Sequence, residues 1–185
     1  MTDSINKNFN HFKIHTQYSI CEGAIKIDQL KDFCKKNKIQ SLGMSDSHIL
    51  SGALEFSESL SSVGTQPIIG TQILFKYKEF TGFIPLIAKN IDGYKNIIEL
   101  SSKSYLENSD TTEPHCKFED LLNNSSGIIV LSGSIRCLLG NLFNKDLINE
   151  MEDIISKLSK SFPEDFYIEI QRHDDLNEKE FENFN

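Results

Sequence analysis

The sequence predicts an α/β fold, in which helices pack against a sheet of largely parallel strands. Short runs rich in β-branched and aromatic residues alternate with amphipathic stretches of about ten to fifteen residues, the pattern of strand–helix units. The length of 185 residues fits one domain with one hydrophobic core. We therefore expect βα units arranged around a parallel sheet or barrel.

Six runs have the composition of strands, and turn-forming residues bound them. The predicted strands cover residues 12–15, 41–45, 67–75, 83–88, 128–131 and 166–172. Lys78, Thr81 and Gly82 mark the turn between the third and fourth strands. Each of the first two strands ends next to polar side chains, so the C-terminal ends of these strands are candidate functional positions.

The stretches between these runs have helical periodicity. The predicted helices cover residues 27–36, 52–61, 93–100, 117–122, 135–142, 147–162 and 177–184, and the polar residues 101–114 predict a loop. In the first helix, Leu30, Phe33 and Cys34 share the face that we expect to be buried. Because the C-terminus interrupts the last helix with no closing strand after it, we expect a barrel truncated before its last strands.

Charge and composition disfavour several classes of function. A net charge of −8 argues against nucleic-acid binding by this segment alone, so any DNA contact is expected outside it. No apolar run approaches the roughly 18 residues that a membrane span needs, and the N-terminus lacks the apolar core of a secretory signal. The four cysteines show no close pairing, which predicts free thiols in the cytoplasm rather than a zinc clip or disulfide frame.

Two segments end in side chains that can bind metals. The first runs from His11 through His15, and the second contains Asp46 and His48. Strands of a barrel deliver ligands to the rim at their C-terminal ends in this way. Lys13 and Ser47, however, stand where a metal site would need further ligands. The pattern is that of a metal site that has lost part of its ligand set.

Seven blocks of the sequence share one further property. They cover residues 11–19 with 22–24, 44–46, 52–56, 66–70, 86–90 with 93–96, 129–133, and 167–173. In this order they resemble the N-terminal PHP domain (polymerase and histidinol phosphatase) of the bacterial replicative DNA polymerase III alpha subunit. The first block is similar to that family's opening His-Leu-His-x-His-Ser-x-Tyr-Ser. The resemblance implies a PHP-type distorted (β/α)7 barrel with a metal cage of His, Asp and Glu at its C-terminal rim.

Residue by residue, the resemblance implies ligand positions at His15, Asp46 and His173. At four other ligand positions the resemblance implies a substitution. Lys13, Ser47 and Phe83 each replace a His of the family, and Gln72 replaces a Glu. We hypothesise that Lys13, His15 and Asp46 form a hydrogen-bonded polar cluster that keeps the pocket folded without a metal.

Three alternatives remain open at these positions. Asp46 could cap the following helix instead of marking a ligand position. His48 could replace the lost His by a shift of one residue, and His15 could be an ordinary rim histidine. Each alternative changes how much of the metal site survives.

The resemblance implies that residues 1–185 form a PHP domain, incomplete at its C-terminus, of a polymerase whose palm, fingers and thumb are absent here. The implied role is a metal-free scaffold that docks the proofreading exonuclease subunit and contacts the rest of the polymerase chain. The parent would use Mg²⁺ for DNA synthesis and would contact DNA through the absent domains. The alternative is an active PHP phosphoesterase, a 3′–5′ exonuclease or a histidinol-phosphatase-like enzyme, which would need Zn²⁺ or Mn²⁺.

Overall fold

The computed structural model describes residues 9–108, 113–173 and 177–184, which fall into two compact units. The first unit extends to Thr71 and the second begins at Gln72. The elements are α1 (Ile27–Asn37), β1 (Ser41–Ser47), α2 (Ala53–Ser61), β2 (Gln66–Tyr77), β3 (Phe80–Ala88), α3 (Ile91–Leu106), β4 (Cys116–Lys117), α4 (Phe118–Asn123), β5 (Ile128–Leu131), α5 (Leu138–Phe143), α6 (Ile148–Ser161), β6 (Phe166–Tyr167) and α7 (Glu178–Phe184).

In the first unit, helix α1 confirms the predicted 27–36 helix. Ile27, Leu30 and Cys34 recur at helical spacing and are buried. The helix ends at Lys38, whose left-handed backbone lets its N–H donate to the carbonyl of Cys34. The expectation for Phe33 is wrong: its side chain is 42% exposed, because it lies to one side of the buried stripe.

Strand β1 is buried from Leu42 to Asp46, as the predicted 41–45 strand requires. The predicted 12–15 strand exists only in part. Ile14 forms an isolated parallel bridge with Met44, and no longer strand is assigned there. The close approach depends on Gly43, where a Cβ would lie 2.7 Å from the Cα of Phe12.

The sheet is mixed rather than purely parallel. Its strands follow the order β1-β2-β3-β5-β6, with β4 beside β2, and β2 begins in the first unit and continues into the second. Strand β3 pairs antiparallel with β5, whereas β4 and β6 run parallel to their neighbours β2 and β5. Lys78, with a φ of 54°, lies in the short turn between β2 and β3. The α/β class is confirmed, and the expected parallel sheet is corrected to a mixed one.

Helix α3 is longer than the predicted 93–100 helix, and the predicted loop over residues 101–114 is wrong in its first part. Asn90 caps the helix, since its side-chain oxygen accepts from the N–H groups of Asp92 at 3.1 Å and Gly93 at 3.0 Å. Most residues after Leu100 are polar, yet they continue the helix. Its solvent-facing side accommodates polar side chains, and Ser104 lies on the buried side. Residues 109–112 of the predicted loop lie outside the described residues.

The predicted 166–172 strand is also shorter than expected, because β6 covers only Phe166–Tyr167. The backbone N–H of Glu169 donates to the hydroxyl of Ser132 at 2.8 Å instead of to a strand carbonyl. This side-chain acceptor ends the ladder with β5. Among the described residues, no helix is long and apolar enough to span a membrane.

Candidate functional site

The candidate site lies in the first unit, where the segment from His11 to Thr16 runs beside β1. The N–H of Gly43 donates to His11 at 2.7 Å, the N–H of Ile14 donates to Gly43 at 3.3 Å, and that of Ser45 donates to Ile14 at 2.8 Å. Because the two segments are parallel, their C-terminal ends meet at one edge. Polar side chains of the two ends therefore lie side by side.

Asp46 is the centre of this site and is fully buried. Its Oδ1 accepts hydrogen bonds from the N–H of Thr16 at 2.6 Å and the hydroxyl of Ser19 at 2.7 Å. Its Oδ2 accepts from the hydroxyl of Thr16 at 2.7 Å. Hydrogen bonds to a carboxylate are the strong kind, and a buried carboxylate needs them to offset its desolvation. Asp46 thus fastens the Thr16–Ser19 turn to β1.

Ser19 connects Asp46 to the rest of the site. Its oxygen accepts from the N–H of Ser47 at 3.1 Å and lies 3.3 Å from Nδ1 of His15. Since the single hydroxyl proton of Ser19 goes to Asp46, the hydrogen bond with His15 requires Nδ1 to carry the proton. His15 therefore reaches Asp46 through Ser19.

Glu22 closes the network on its exposed side. The hydroxyl of Ser47 donates to its carboxylate, and its Oε2 lies 3.4 Å from Nδ1 of His15. Ser47 thus binds a carboxylate through its hydroxyl and belongs to the network through its backbone as well. Lys13 lies two residues before His15 and is half-buried.

A second contact ties the loop between His15 and α1 to helix α2. The hydroxyl of Tyr18 donates to Oε2 of Glu55 at 2.6 Å, which raises the pKa of Tyr18 above its usual range. The ring packs on Gly52, where a Cβ would come within 2.7 Å of the ring. The polar turn is therefore held from two sides, by Asp46 and by Glu55.

The interpretation of Asp46 as a helix cap is wrong. Helix α2 begins at Ala53 with Gly52 as its N-cap residue, and no side-chain cap is present. Asp46 instead lies within β1 and binds backward to Thr16 and Ser19. Sequence reasoning named neither hydroxyl residue as part of the site. The signal was their placement, one and four residues after His15 in the opening motif.

The remaining candidate positions lie in the second unit. Gln72 is buried on β2 and Phe83 is half-buried on β3. His173 is exposed beyond β6, and its backbone N–H donates to both carboxylate oxygens of Glu178, at 3.0 and 2.8 Å. These two hydrogen bonds fix the backbone at His173. The imidazole takes no part in them.

The donor set does not fit a metal cluster. Both oxygens of Asp46 already accept hydrogen bonds, a phenyl ring at position 83 cannot coordinate, and an ammonium at position 13 repels a cation. Within the described residues, no group of three or more His, Cys, Asp or Glu side chains is arranged to hold a metal ion. The site is built from hydrogen bonds.

The comparisons with known proteins agree with this architecture. Residues 11–173 match the PHP domain. The chain belongs to the PHP domain family. It is homologous to the N-terminal region of the DNA polymerase III alpha subunit. It is 33% identical to that subunit of Caulobacter vibrioides over 181 residues, 94% of this chain and 16% of the relative.

Other relatives give the same result. The DNA polymerase III alpha subunit of Borreliella burgdorferi is 33% identical over 92% of this chain, and that of Aquifex aeolicus is 30% identical over 98%. The chain covers only 16% and 17% of these two proteins. This PHP domain therefore spans about one sixth of the length of these relatives.

Solved structures confirm the predicted α/β fold class. A Bifidobacterium adolescentis protein designated a metal-dependent phosphoesterase is similar with a TM-score of 0.59 at 11% identity, over 94% of this chain and 82% of that one. An amidohydrolase of Chromobacterium violaceum has a TM-score of 0.53 at 11% identity, over 87% and 76%. At this level of identity the likeness is one of fold.

Proposed function

We propose that this PHP domain belongs to a replicative DNA polymerase III alpha subunit and serves there as a metal-free scaffold that docks the proofreading exonuclease subunit. The relatives named above support the first half of the proposal. DNA-directed DNA synthesis, with its Mg²⁺ and its contacts to DNA, would reside in other parts of the parent chain. The cytoplasm is the proposed compartment, because the relatives named above are DNA polymerase subunits.

The single observation that carries the scaffold role is the engagement of Asp46. A carboxylate that accepts three short hydrogen bonds from Thr16 and Ser19 has little capacity left for a cation. The same bonds give the site a structural purpose, since they hold the turn after His15 against β1. Phosphoester hydrolysis by this family requires metals to activate water, and the residues that the structure describes do not form a cage for them.

Metal content and hydrolysis test the metal-free role. We expect the chain, purified without chelators, to contain no stoichiometric zinc or manganese by inductively coupled plasma analysis. We also expect no chelator-sensitive release of phosphate or nucleotides from p-nitrophenyl phosphate or a single-stranded oligonucleotide. Stoichiometric metal together with such cleavage would overturn the scaffold proposal and would establish the phosphoesterase alternative.

A restored-ligand variant makes the test sharper. The substitutions Lys13→His, Ser47→His, Gln72→Glu and Phe83→His return the four substituted positions to the residues that the family motif uses. We expect this variant to bind zinc or manganese more tightly than the parent chain. Ser61→His, at the exposed end of α2, is the control for nonspecific binding by an added imidazole. Equal metal affinity of the parent and the restored variant would show that these substitutions did not cause the loss.

Docking is tested separately. The proofreading exonuclease subunit of the same organism should form a complex with the chain in sedimentation velocity experiments, and the complex should survive chelator treatment. A complex that dissociates when metal is removed would contradict a metal-free scaffold. The absence of any complex would remove the docking role and would leave the family assignment untouched.

A further inference from the structure

The outward side of α3 carries an apolar stripe among polar residues. The inner face of this 16-residue helix is buried through Gly93, Ile97, Leu100 and Ser104. On the opposite side, Ile91 is 65% exposed, Ile98 41% and Tyr105 49%. Surface helices normally present polar residues to solvent, so a second apolar stripe on the same helix is a candidate contact surface.

The stripe has the spacing of a helix–helix seam. Ile91, Ile98 and Tyr105 are separated by seven residues each, so they drift by only about 20° per step around the helix. From Ile91 to Tyr105 the stripe spans about 21 Å at 1.5 Å per residue. Side chains at this repeat pack as knobs into the holes of a facing helix.

Two charged residues flank the stripe on one side. Lys95 and Glu99 both lie beside Ile98 on the same flank, and within the described part of the chain neither makes an ion pair or hydrogen bond. The other flank carries Tyr94 and Ser101, which offer hydroxyls and no carboxylate. The two flanks therefore differ in the partners that they fit.

We propose that this stripe binds a second copy of the same chain, with the two α3 helices antiparallel and Ile98 near the two-fold axis. The stripe is self-complementary in this arrangement, since Ile91 of each copy meets Tyr105 of the other. A two-fold axis between antiparallel helices also brings equal flanks together, which places Lys95 of each copy about 3 Å along the axis from Glu99 of the other. A parallel pair would instead place Lys95 beside the flank without a carboxylate.

The size of the stripe sets the strength of the association. A standard interface buries about 800 Å² on each partner, and one helix face offers less than this. The dimer is therefore weak and forms with rising concentration. Sedimentation equilibrium of the 185-residue chain from micromolar to near-millimolar concentration should show a monomer–dimer equilibrium, and a monomer throughout that range overturns the proposal.

Charge reversal tests the orientation. Lys95→Glu should weaken the dimer about tenfold, because two attractive pairs become repulsive. The double variant Lys95→Glu with Glu99→Lys restores the pairing and should recover the parental association. Ile98→Glu should abolish the dimer, while Leu54→Glu, at an exposed leucine of α2, should leave it unchanged. Failure of the double variant to recover would overturn the antiparallel pairing, provided that far-ultraviolet circular dichroism shows all variants folded.

Disulfide cross-linking gives an independent readout. In a Cys21→Ser background, which removes the exposed thiol, Ile98→Cys should form a covalent dimer under mild oxidation. A chain with Ile91→Cys should cross-link to a chain with Tyr105→Cys and not to itself. Self-cross-linking of the Ile91→Cys chain would show a parallel pair and would overturn the proposal.

Discussion

Thr16 engages both carboxylate oxygens of Asp46, one through its backbone N–H at 2.6 Å and the other through its hydroxyl at 2.7 Å. This two-point contact joins residues 30 positions apart in the sequence. It makes Asp46 a structural residue of the first unit, because removing the carboxylate would leave buried donors without an acceptor.

The first prediction concerns the cost of losing that acceptor. Asp46→Ala should lower the free energy of unfolding by about 2–4 kcal/mol, since the donors of Thr16 and Ser19 lose a charged acceptor. Urea denaturation followed by circular dichroism measures the change. The control Asp32→Ala removes an exposed carboxylate of α1 and should cost less than about 0.5 kcal/mol. Equal effects of the two substitutions would show that the network around Asp46 contributes nothing specific.

The second prediction concerns the contact between Gly43 and Phe12. A Cβ at position 43 would lie 2.7 Å from both the Cα and the carbonyl oxygen of Phe12, and backbone atoms cannot rotate away. Gly43→Ala should therefore destabilise the chain by about 1–3 kcal/mol and push the His11–Thr16 segment away from β1. Hydrogen exchange should quicken at the N–H groups of Ile14 and Ser45, which cross this contact.

Ser61→Ala, an exposed position on α2, is the control for Gly43→Ala. It should change neither the unfolding free energy nor the exchange of those two amides. Unchanged exchange in Gly43→Ala would mean that the backbone of the first segment can shift without breaking its hydrogen bonds to β1.

Local patterns predicted most of the elements correctly. The helices at Ile27–Asn37 and Ala53–Ser61 follow from apolar periodicity, because burial of one face decides their conformation. The strand at Ser41–Ser47 follows from a short run that is buried on both faces. The prediction failed where tertiary contacts decide. Residues after Leu100 continue α3 although most of them are polar, and the strand that begins at Phe166 ends early because the hydroxyl of Ser132 accepts the N–H of Glu169.

The candidate site shows the same division. The sequence named His15, Asp46, Lys13 and Ser47 as candidates, and the structure brings His15, Asp46 and Ser47 together around Ser19. The sequence did not identify the hydroxyls of Thr16 and Ser19 as the groups that hold Asp46. Ser and Thr are common in turns for several local reasons, so their identity alone does not reveal a partner 27 to 30 residues away.

The third prediction concerns thiol reactivity. Cys21 is exposed, whereas Cys34, Cys116 and Cys137 are buried. Burial raises the pKa of Cys116 to about 12, and its thiol donates to the carbonyl of Leu100 at 3.1 Å. At mildly alkaline pH the folded chain should react with Ellman's reagent at one thiol.

The substitution Cys21→Ser should abolish this fast reaction, and the denatured parent chain should release all four equivalents. Fast reaction of a second thiol in the folded chain would show that one of the buried cysteines becomes accessible by local opening.

The fourth prediction concerns alkaline pH and Tyr77. Burial raises the pKa of Tyr77 above its usual range, and its hydrogen bond to Asp153 raises it further. In the unfolded chain a tyrosine ionises near pH 10. The stabilising contribution of Tyr77 is therefore complete below about pH 10 and is lost as the pH rises through its higher folded value.

Urea denaturation across this alkaline range should show a falling free energy of unfolding in the parent chain and a shallower fall in Tyr77→Phe. Asp153→Asn should also reduce the slope, because it removes the charged acceptor that favours the neutral phenol. Tyr94→Phe, the same chemical change on α3, should keep the parental slope. If Tyr77→Phe keeps the parental slope as well, Tyr77 ionises alike in the folded and unfolded states, and its contact with Asp153 does not raise its pKa.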